Sequence, residues 1–314
     1  MTTPMRVLIT GGAGFVAPYL TSELLEVGYT PILADMKKPV LSSAKKNIYE
    51  RVEFHLCNLV DLEATKKLVM QTNPDAVIHL AGLSHVGKSW ENRSLLIDIN
   101  LGATINLCKA LQQKAGDLLF LFISSAHVFE SPKNSSISFN ENSKINPQSP
   151  YGASKLAAEY AIRAFSSSRF APYIVRPFNH IGPGQSTDFV CSAFAKRVRE
   201  AEDGSNIVTG ALDVERDFSD VRDVVRAYRL ILDKRPKEDL FVLGSGKGTT
   251  IRSILDFYIS ESGKRLNTVI DKSLLRPQDP PKIVADSDLA KSVLGWQCKI
   301  ELKDTLKMIY DEIR

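Results

Sequence analysis

The stretch Arg6-Val-Leu-Ile-Thr-Gly-Gly-Ala-Gly-Phe-Val-Ala17 places three glycines directly after a strand-like run. Its first five residues form a short apolar run with branched side chains, which is typical of a buried parallel strand. The glycines follow at once, and apolar residues at helical spacing begin at Tyr19 and Leu20. A strand, a glycine turn and a helix in this order predict the start of a doubly wound α/β sheet.

The residues of this turn have separate geometric roles. Gly11 permits the tight turn, and Gly14 lets the backbone approach a pyrophosphate at the helix N-terminus, where free N–H groups and the helix dipole attract anions. Ala17 is small enough for the helix to pack closely on the strand. We therefore predict a dinucleotide-binding turn, with Phe15 and Val16 also against the cofactor. A glycine turn that serves the fold alone is the alternative.

The second predicted strand, 30–34, runs into Asp35. Its distance from Gly11 is close to the ~20 residues at which an acid binds the adenosine ribose in dinucleotide folds. A carboxylate there would repel a 2′-phosphate, which favours NAD(H) over NADP(H). Lys37 and Lys38 lie beside it and could offset that repulsion, so NADP(H) stays possible. A solvated turn residue or a helix cap is the alternative for Asp35.

Strand-like runs recur at 52–56, 76–81, 118–124 and 173–176, with helical segments between them. This alternation predicts a parallel sheet covered by helices, and the loops at the carboxyl ends of its strands line the ligand crevice. The residues that we expect there are Asn58, Leu59, Leu80, Ala81 and Gly82 for the cofactor, and Ser84 and His85 for the substrate.

Other parts of the chain carry weaker expectations. Apolar spacing predicts one long helix over 96–113, and turn-rich composition predicts a loop over 130–149. The segment 215–223 is expected to introduce a further helix. His79 lies within a predicted strand, so we interpret it as a core histidine with satisfied hydrogen bonds.

The segment Pro150-Tyr-Gly-Ala-Ser-Lys155 opens another predicted helix. Positions four apart share one helix face, so Tyr151 and Lys155 point into the same space. An ammonium beside a phenol lowers the pKa of the phenol, and such a tyrosine can exchange a proton with a hydroxyl near neutral pH. A surface pair of no chemical consequence is the alternative, because this spacing occurs by chance in many helices.

Composition limits the class of protein. The chain has 314 residues, a net charge of +4 and 44% hydrophobic residues, which is ordinary for a globular protein. Basic residues are dispersed, and no apolar run reaches membrane-spanning length, so neither nucleic acid nor membrane is predicted as a partner. The cysteines are far apart and favour neither a metal site nor a disulfide framework; they are Cys57, Cys108, Cys191 and Cys298. We expect a reduced, cytoplasmic protein.

Several features in one order carry a family resemblance: the glycine turn, Asp35, the strand end at Ser125, the Tyr151–Lys155 pair and Arg176-Pro-Phe-Asn179. Together they resemble the extended short-chain dehydrogenase/reductase family, whose members mostly act on nucleotide sugars. The resemblance covers essentially the whole chain.

The resemblance implies a division of the chain. A Rossmann-type domain is expected over residues 1–176, with 216–246 returning to it. A smaller nucleotide-sugar-binding domain is expected over 177–215 and 247–314. A homodimer is implied as well, formed through the helices that carry Asn100 and Tyr151.

The resemblance also implies roles. Ser125 would hydrogen-bond the sugar oxygen, Tyr151 would be the acid/base, and Lys155 would hold the nicotinamide ribose and tune Tyr151. Asn100 matches a helix asparagine that is often counted as a fourth member of this set.

The residues after Ser125 bear on the reaction. Dehydratases of the family carry a glutamate there as the base for water elimination, whereas this chain has Ala126 and His127. The stretches 176–186, 216–223 and 275–279 look most like reductases of GDP-4-keto-6-deoxy-D-mannose, which form GDP-D-rhamnose and usually have glutamate at the position of His127. This likeness implies a substrate site formed by Ser125, His127, Asn179, Val190, Arg216, Arg276 and Asp279.

The sequence therefore favours an NAD(P)-dependent reductase of a GDP-linked 4-keto-sugar. A nucleotide-sugar 4-epimerase with retained NAD is the alternative, and His127 could then serve as an extra acid/base. A non-catalytic dinucleotide sensor is a third hypothesis, which the intact Tyr151–Lys155 pair disfavours.

Overall fold

The structure is a computed structural model that describes residues 4–40, 43–84, 87–114, 116–131, 136–275 and 280–313. The strands, numbered in chain order from β1 to β14, are Arg6–Thr10, Thr30–Asp35, Glu53–Leu56, Ala76–His79, Leu118–Ile123, Ser136–Phe139, Phe170–Pro177, Asn179–Ile181, Asn206–Thr209, Glu215–Asp220, Leu240–Leu243, Gly248–Thr250, Asn267–Ile270 and Lys282–Ala285. The α-helices, numbered α1 to α11, are Ala17–Glu26, Ser43–Tyr49, Leu62–Thr72, Arg93–Ile97, Ala103–Gln112, Pro150–Ala164, Val190–Glu200, Val221–Lys234, Ile251–Ser262, Asp288–Leu294 and Leu302–Glu312.

The chain forms two compact units. The first comprises the described residues within 1–130, 144–177 and 225–241, and the second those within 131–143, 178–224 and 242–314. This division departs from the predicted one in two places. Residues 131–143 group with the second unit, and of 216–246 only 225–241 group with the first.

The first unit is built on a seven-stranded sheet with the order β11-β7-β5-β4-β1-β2-β3. Six of these strands are parallel to their neighbours; in spatial order they are β7, β5, β4, β1, β2 and β3. The central strands are buried on both faces, and Val7, Leu8 and Ile9 have no exposed surface. Such strands need a continuous apolar sequence. The apolar runs of β1 and β5 therefore predicted strands correctly. The predicted doubly wound α/β fold is confirmed.

The strand order reverses at β1, which lies between β2 and β4. Thr10 at the end of β1 is level with Ala34 on β2 and with His79 on β4. The turns that leave these three strands therefore meet at one edge of the sheet. In open α/β sheets this is the place where ligands bind.

The helix predicted over 96–113 is interrupted. An α-helix over Arg93–Ile97 passes through a π-helical turn over Asp98–Gly102 before α5 begins at Ala103. The stretch Arg93–Gln112 is long and apolar enough to span a membrane by length and composition, a test that core helices also pass. Leu107 and Cys108 of this stretch are fully buried in the core of the first unit.

The second unit has a sheet with the order β12-β10-β14-β6, and β8 also pairs with β10. The interpretation of 130–149 as a loop was wrong at β6, and the segment 215–223 begins with strand β10 before α8. The sequence of β10, Glu-Arg-Asp-Phe-Ser-Asp, has no apolar alternation. Its buried carboxylates, Asp217 and Asp220, are stabilised by hydrogen bonds, which a periodicity argument does not detect.

Candidate active site

Ser125 and Tyr151 meet at the carboxyl edge of the sheet. Ser125 directly follows β5, and its Oγ accepts a hydrogen bond from the backbone N–H of His127. Tyr151 lies in the first turn of α6, which Ser149 caps by accepting from the N–H of Gly152. The side chains of Ser125 and Tyr151 hydrogen-bond each other, and both residues are buried. Two hydroxyls from distant parts of the chain thus share one site.

The pKa of Tyr151 corrects an expectation. Lys155 was expected to lower this pKa, whereas burial raises the pKa of Tyr151 above its usual value, and the hydrogen bond from Ser125 offsets only part of this rise. A buried phenolate is poorly solvated, so the neutral phenol is favoured. Tyr151 is therefore held in its protonated form, which suits a proton donor.

Lys155 is held by a backbone carbonyl of the neighbouring strand. Its Nζ donates to the carbonyl oxygen of Ile123 at 2.8 Å and lies 4.8 Å from the centre of the Phe122 ring. Burial lowers the pKa of Lys155 to about 8, while the charge of Glu159 opposes the decrease. The Lys155 ammonium is thus bound to the end of β5 at Ile123, which lies two residues before Ser125.

Asn100 lies in the π-helical turn and joins two parts of the site. Its Oδ1 accepts from the N–H of Leu83 at 2.8 Å, and its Nδ2 donates to the carbonyl of Leu83 and to Ser154 Oγ. Ser154 in turn donates to the carbonyl of Tyr151. Asn100 therefore fixes the turn after β4 against the helix that carries Tyr151.

His79 belongs to a buried chain of hydrogen bonds. Thr104 donates its only hydroxyl hydrogen to the carbonyl of Asn100 at 2.7 Å, so it accepts from His79 Nε2 at 2.9 Å. His79 Nδ1 then accepts from the Thr10 hydroxyl at 2.6 Å. Burial lowers the pKa of His79 to about 3, so the ring is neutral. The prediction of a satisfied core histidine agrees with this geometry.

The glycine turn after β1 combines a positive φ with a close backbone contact. Gly11 has a φ of 74°, and a Cβ there would lie 2.8 Å from the backbone nitrogen of Ala81. Helix α1 follows, with Val16 at its N-cap, and the ring of Phe15 packs edge-on against Tyr19. A larger residue at position 11 would collide with the backbone after β4. The N-terminus of a helix after such a turn is in general a place where anions bind.

Asp35 lies beside that turn, as predicted from its position after β2. One carboxylate oxygen accepts from the N–H of Ala13 at 3.0 Å and the other from the N–H of Lys37 at 3.1 Å. Both oxygens keep lone pairs for further donors. The carboxylate is therefore fixed next to the turn in a position to accept from a ribose hydroxyl.

The other predicted cofactor residues follow β3 and β4. Asn58 is exposed and accepts from the N–H of Val60, while Leu59 is buried. Gly82 lies against Asn100 and Lys155, and a Cβ there would be 2.9 Å from Asn100 Oδ1. Leu80 and Ala81 are half-buried, and their backbone N–H groups donate hydrogen bonds to Thr10. Ser84 is exposed. His85 lies outside the described residues.

Two of the predicted substrate residues come together in the second unit. Asn179 on β8 and Arg216 on β10 flank Asp217, whose backbone oxygen accepts from Asn179 Nδ2 at 2.9 Å. Arg216 donates from Nη1 to the carbonyls of Glu215 and Pro280. Val190 is half-buried at the start of α7. Arg276 and Asp279 lie outside the described residues.

Asp217 itself organises a loop of the second unit. The residue is fully buried, and its carboxylate accepts from the backbone nitrogens of Ser245, Gly246 and Ala285 and from the hydroxyl of Ser245. The distances lie between 2.6 Å and 3.0 Å. The glycine-rich segment after β11 is therefore built around one carboxylate.

His127 lies beside the two hydroxyls. Its ring is 5.8 Å from the Tyr151 ring, in an edge-on arrangement, and the residue is exposed. No carboxylate stands at positions 126 and 127, the two residues that follow Ser125. The arrangement can donate protons through hydroxyl groups, and it lacks the acidic base that follows the triad serine in dehydratases.

Sequence reasoning missed a buried ion pair that is bonded to Ser124, the residue before Ser125. Glu159 and Arg176 form a two-pronged pair, with N–O distances of 3.0 Å and 2.7 Å, and each side chain is only 4% exposed. Ser124 also hydrogen-bonds Glu159. The spacing of Tyr151, Lys155 and Glu159 by four residues was the available signal, because it puts all three on one helix face.

The chain is similar to known proteins over nearly its whole length. Residues 8–309 match the profile of the family described as GDP-mannose 4,6 dehydratase. The GDP-6-deoxy-D-mannose reductase of Pseudomonas aeruginosa is 29% identical over 98% of this chain and 96% of its own. A protein of Methanocaldococcus jannaschii described as a putative UDP-glucose 4-epimerase is 30% identical over 96% of each chain.

Solved structures are similar over the same length. The UDP-glucose 4-epimerase of Thermus thermophilus in complex with NAD superposes with a TM-score of 0.85, at 27% identity, over 99% of each chain. RMD from Pseudomonas aeruginosa in complex with NADPH gives 0.83 at 29% identity, over 98% of each chain. The chain thus belongs to the GDP-mannose 4,6 dehydratase family and is a nicotinamide-dependent nucleotide-sugar enzyme of the extended short-chain dehydrogenase/reductase type.

Proposed function

We propose that the enzyme reduces the C4 carbonyl of a GDP-linked 4-keto-6-deoxyhexose, the reaction that forms GDP-D-rhamnose. The observation that carries this proposal is the buried hydrogen bond between Ser125 and Tyr151, followed by Ala126 and His127 where a dehydratase has its acidic base. A site with proton-donating hydroxyls and no such base suits reduction better than elimination of water. The reductase from Pseudomonas aeruginosa, similar over 98% of this chain, supports the same reaction.

The chemistry follows from the protonation states. Tyr151 donates its proton to the alkoxide that develops on the sugar, and its raised pKa keeps that proton available. Ser125 hydrogen-bonds the same oxygen and stabilises the developing charge. A bound nicotinamide supplies the hydride. Lys155 would hold the nicotinamide ribose, which requires its ammonium to leave the Ile123 carbonyl or to share its donors with it.

The cofactor is proposed to lie on the turn at Gly11 and Gly14, against Phe15 and Val16. Asp35 would accept from the adenosine ribose, which supports NAD(H) over NADP(H). The remaining cofactor contacts are proposed for the residues after β3 and β4 and for the π-helical turn, namely Asn58, Leu59, Leu80, Ala81, Gly82 and Asn100.

The nucleoside diphosphate is proposed to bind the second unit. Arg216 and Arg276 suit phosphate oxygens by charge and by the fork geometry of the guanidinium. Asn179 and Val190 complete the proposed contacts, and Asp279 suits ribose hydroxyls. Ser84, His85 and His127 are proposed on the sugar side.

Turnover tests the proposal directly. The enzyme is mixed with GDP-4-keto-6-deoxymannose and either NADH or NADPH, and the loss of absorbance of the reduced cofactor is followed. We expect consumption of NADH, and a fall of about 100-fold or more in Tyr151→Phe. Absence of turnover with both cofactors would refute the specific reaction.

A nucleotide-sugar 4-epimerase is the second candidate, because relatives of similar identity are described as UDP-glucose 4-epimerases. An epimerase would keep its cofactor. Purified protein that carries NAD at one equivalent, and interconverts UDP-glucose and UDP-galactose without added cofactor, would favour this candidate over the reductase.

A homodimer through α4, α5 and α6 is proposed as well. Leu95 and Ile97 on α4 and Tyr160 on α6 are 51%, 42% and 62% exposed, and a second copy of the chain would cover these apolar side chains. Light scattering on the purified protein gives its mass. A monomeric mass near 34.8 kDa would contradict the dimer.

A further inference from the structure

The ion pair between Glu159 and Arg176 connects α6, the helix that carries Tyr151, to β7. Both side chains are 4% exposed, and Arg176 also stacks over the Phe129 ring at 5.1 Å. Burial of two charges is costly, and apolar replacements of such pairs are often as stable. A contribution to stability therefore does not explain why these two charges lie there.

The contacts of Glu159 connect the elements that carry the site. Its carboxylate accepts a hydrogen bond from the hydroxyl of Ser124, the residue before Ser125, at the end of β5. It also accepts two hydrogen bonds from the guanidinium of Arg176 on β7. Glu159 itself lies on α6, one helical turn beyond Lys155. One carboxylate thus ties two strand ends to the helix of Tyr151 and Lys155.

Titratable side chains on β4, β7 and α6 determine the electrostatic environment of Lys155. His79 on β4 is neutral, and Arg176 on β7 forms an ion pair with Glu159. Tyr151 on α6 is protonated. Glu159 is the carboxylate whose charge opposes the effect of burial on Lys155.

We propose that Glu159 is a positioning residue for the reaction: oriented by Arg176, it fixes the Ser124–Ser125 strand end and holds a carboxylate one helical turn beyond Lys155 on α6. This inference rests on the proposed function for its kinetic readout. Its electrostatic part concerns cofactor binding alone and holds for a reductase or an epimerase.

The test compares the wild type with Glu159→Gln and with Glu63→Gln. Glu63 is a matched control, because it also pairs with a cation of its unit but is 79% exposed. Affinity for NADH is measured by fluorescence from pH 6 to 10 without any sugar, and kcat and KM are measured with the keto-sugar. We expect Glu159→Gln to lose NADH affinity at a pH about one unit lower than the wild type. We expect kcat to fall about tenfold to 100-fold while KM is unchanged.

A Glu159→Gln protein with the kcat and the pH profile of the control would overturn the proposal. If the wild type reduces no keto-sugar, the proposed function fails, whereas the NADH titration still decides the role of Glu159. Should Glu159→Gln not fold, the double variant Glu159→Gln/Arg176→Met removes both charges and is read in the same way. Recovery of the wild-type pH profile in the double variant would show that the pair is merely structural.

Discussion

The carbonyl oxygen of His127 packs directly against Gly152, so that a Cβ at residue 152 would overlap it. This contact joins the turn after Ser125 to the first turn of α6. Because the glycine immediately follows Tyr151, the contact sets how closely the two hydroxyls approach. Gly152 is therefore required for close packing and not for an unusual backbone angle.

We expect Gly152→Ala to push the His127 carbonyl away and to lengthen the hydrogen bond between Ser125 and Tyr151. The free energy of unfolding should fall by about 1–3 kcal/mol, the usual cost of overpacking. The rate of keto-sugar reduction should fall at least tenfold, since small displacements of reacting groups are costly. Urea unfolding and steady-state kinetics measure the two effects.

Gly102→Ala is the control for that substitution. Gly102 has helical backbone angles, and the nearest atom to a Cβ there is 3.9 Å away. Unfolding free energy and activity should be unchanged or slightly raised. Equal losses in both alanine variants would show that the His127 contact has no special effect.

The carboxylate of Asp35 should decide between the two cofactors. In Asp35→Ser the hydroxyl can still accept from the N–H of Ala13, but the charge that repels a 2′-phosphate is gone. We expect the ratio of affinities to move toward NADPH by at least about tenfold, or ~1.4 kcal/mol. Fluorescence titration with both cofactors measures the ratio.

Asp61→Ser controls for the loss of an acidic cap, because Asp61 caps α3 and serine replaces it well there. The ratio of cofactor affinities should not change in this variant. An unchanged ratio in Asp35→Ser as well would show that Lys37 and Lys38 already cancel the charge of Asp35.

His79 should make stability depend on pH. Its folded pKa of about 3 lies below the unfolded value of 6.5, so the unfolded chain binds a proton that the folded protein refuses. The contribution to stability is complete above pH 6.5 and is lost as the pH falls toward 3. Between pH 6.5 and pH 5 the loss is about 1.6 kcal/mol, because the slope approaches 1.4 kcal/mol per pH unit only below the unfolded pKa.

Urea unfolding of the wild type and of His79→Gln at several pH values isolates this effect, because the other titrating groups are common to both proteins. The wild type should be the more stable at pH 7, and the difference should shrink toward pH 5. A difference that does not depend on pH would contradict a buried neutral imidazole.

Asp217→Asn should disrupt the second unit. The amide would present hydrogens to a loop whose groups already donate, leaving up to two buried N–H groups without an acceptor. We expect the free energy of unfolding to fall by about 2–4 kcal/mol. Asp213→Asn is the control, because Asp213 is 79% exposed and pairs with Arg252 at the surface. Urea unfolding of both variants is the measurement.

The first unit was largely predictable from sequence because its signals are local. Continuous apolar runs revealed the parallel strands, and the spacing of Gly11, Asp35, Tyr151 and Lys155 identified the edge where a site had to lie. Ser125 came from the family resemblance, and the structure has its hydroxyl bonded to Tyr151. Its chemical role and those of the other site residues stay predictions.

What escaped prediction depends on contacts distant in sequence. The strands of the second unit are short, and β10 is stabilised by buried carboxylates in place of an apolar face. The pKa of Tyr151 is raised mainly by burial, and the spacing of residues along the sequence does not predict how deeply a side chain is buried. The ion pair between Glu159 and Arg176 was not predicted, because it forms only once α6 lies on β7.

The π-helical turn over Asp98–Gly102 accommodates one more residue than an α-helix would in the same space. Removal of a single residue from this turn would restore regular winding and rotate the preceding segment by roughly 100° about the axis. Asn100 would then lose Leu83 and Ser154 together. Natural or engineered shortening of this helix by one residue should therefore be far more damaging than most substitutions within it.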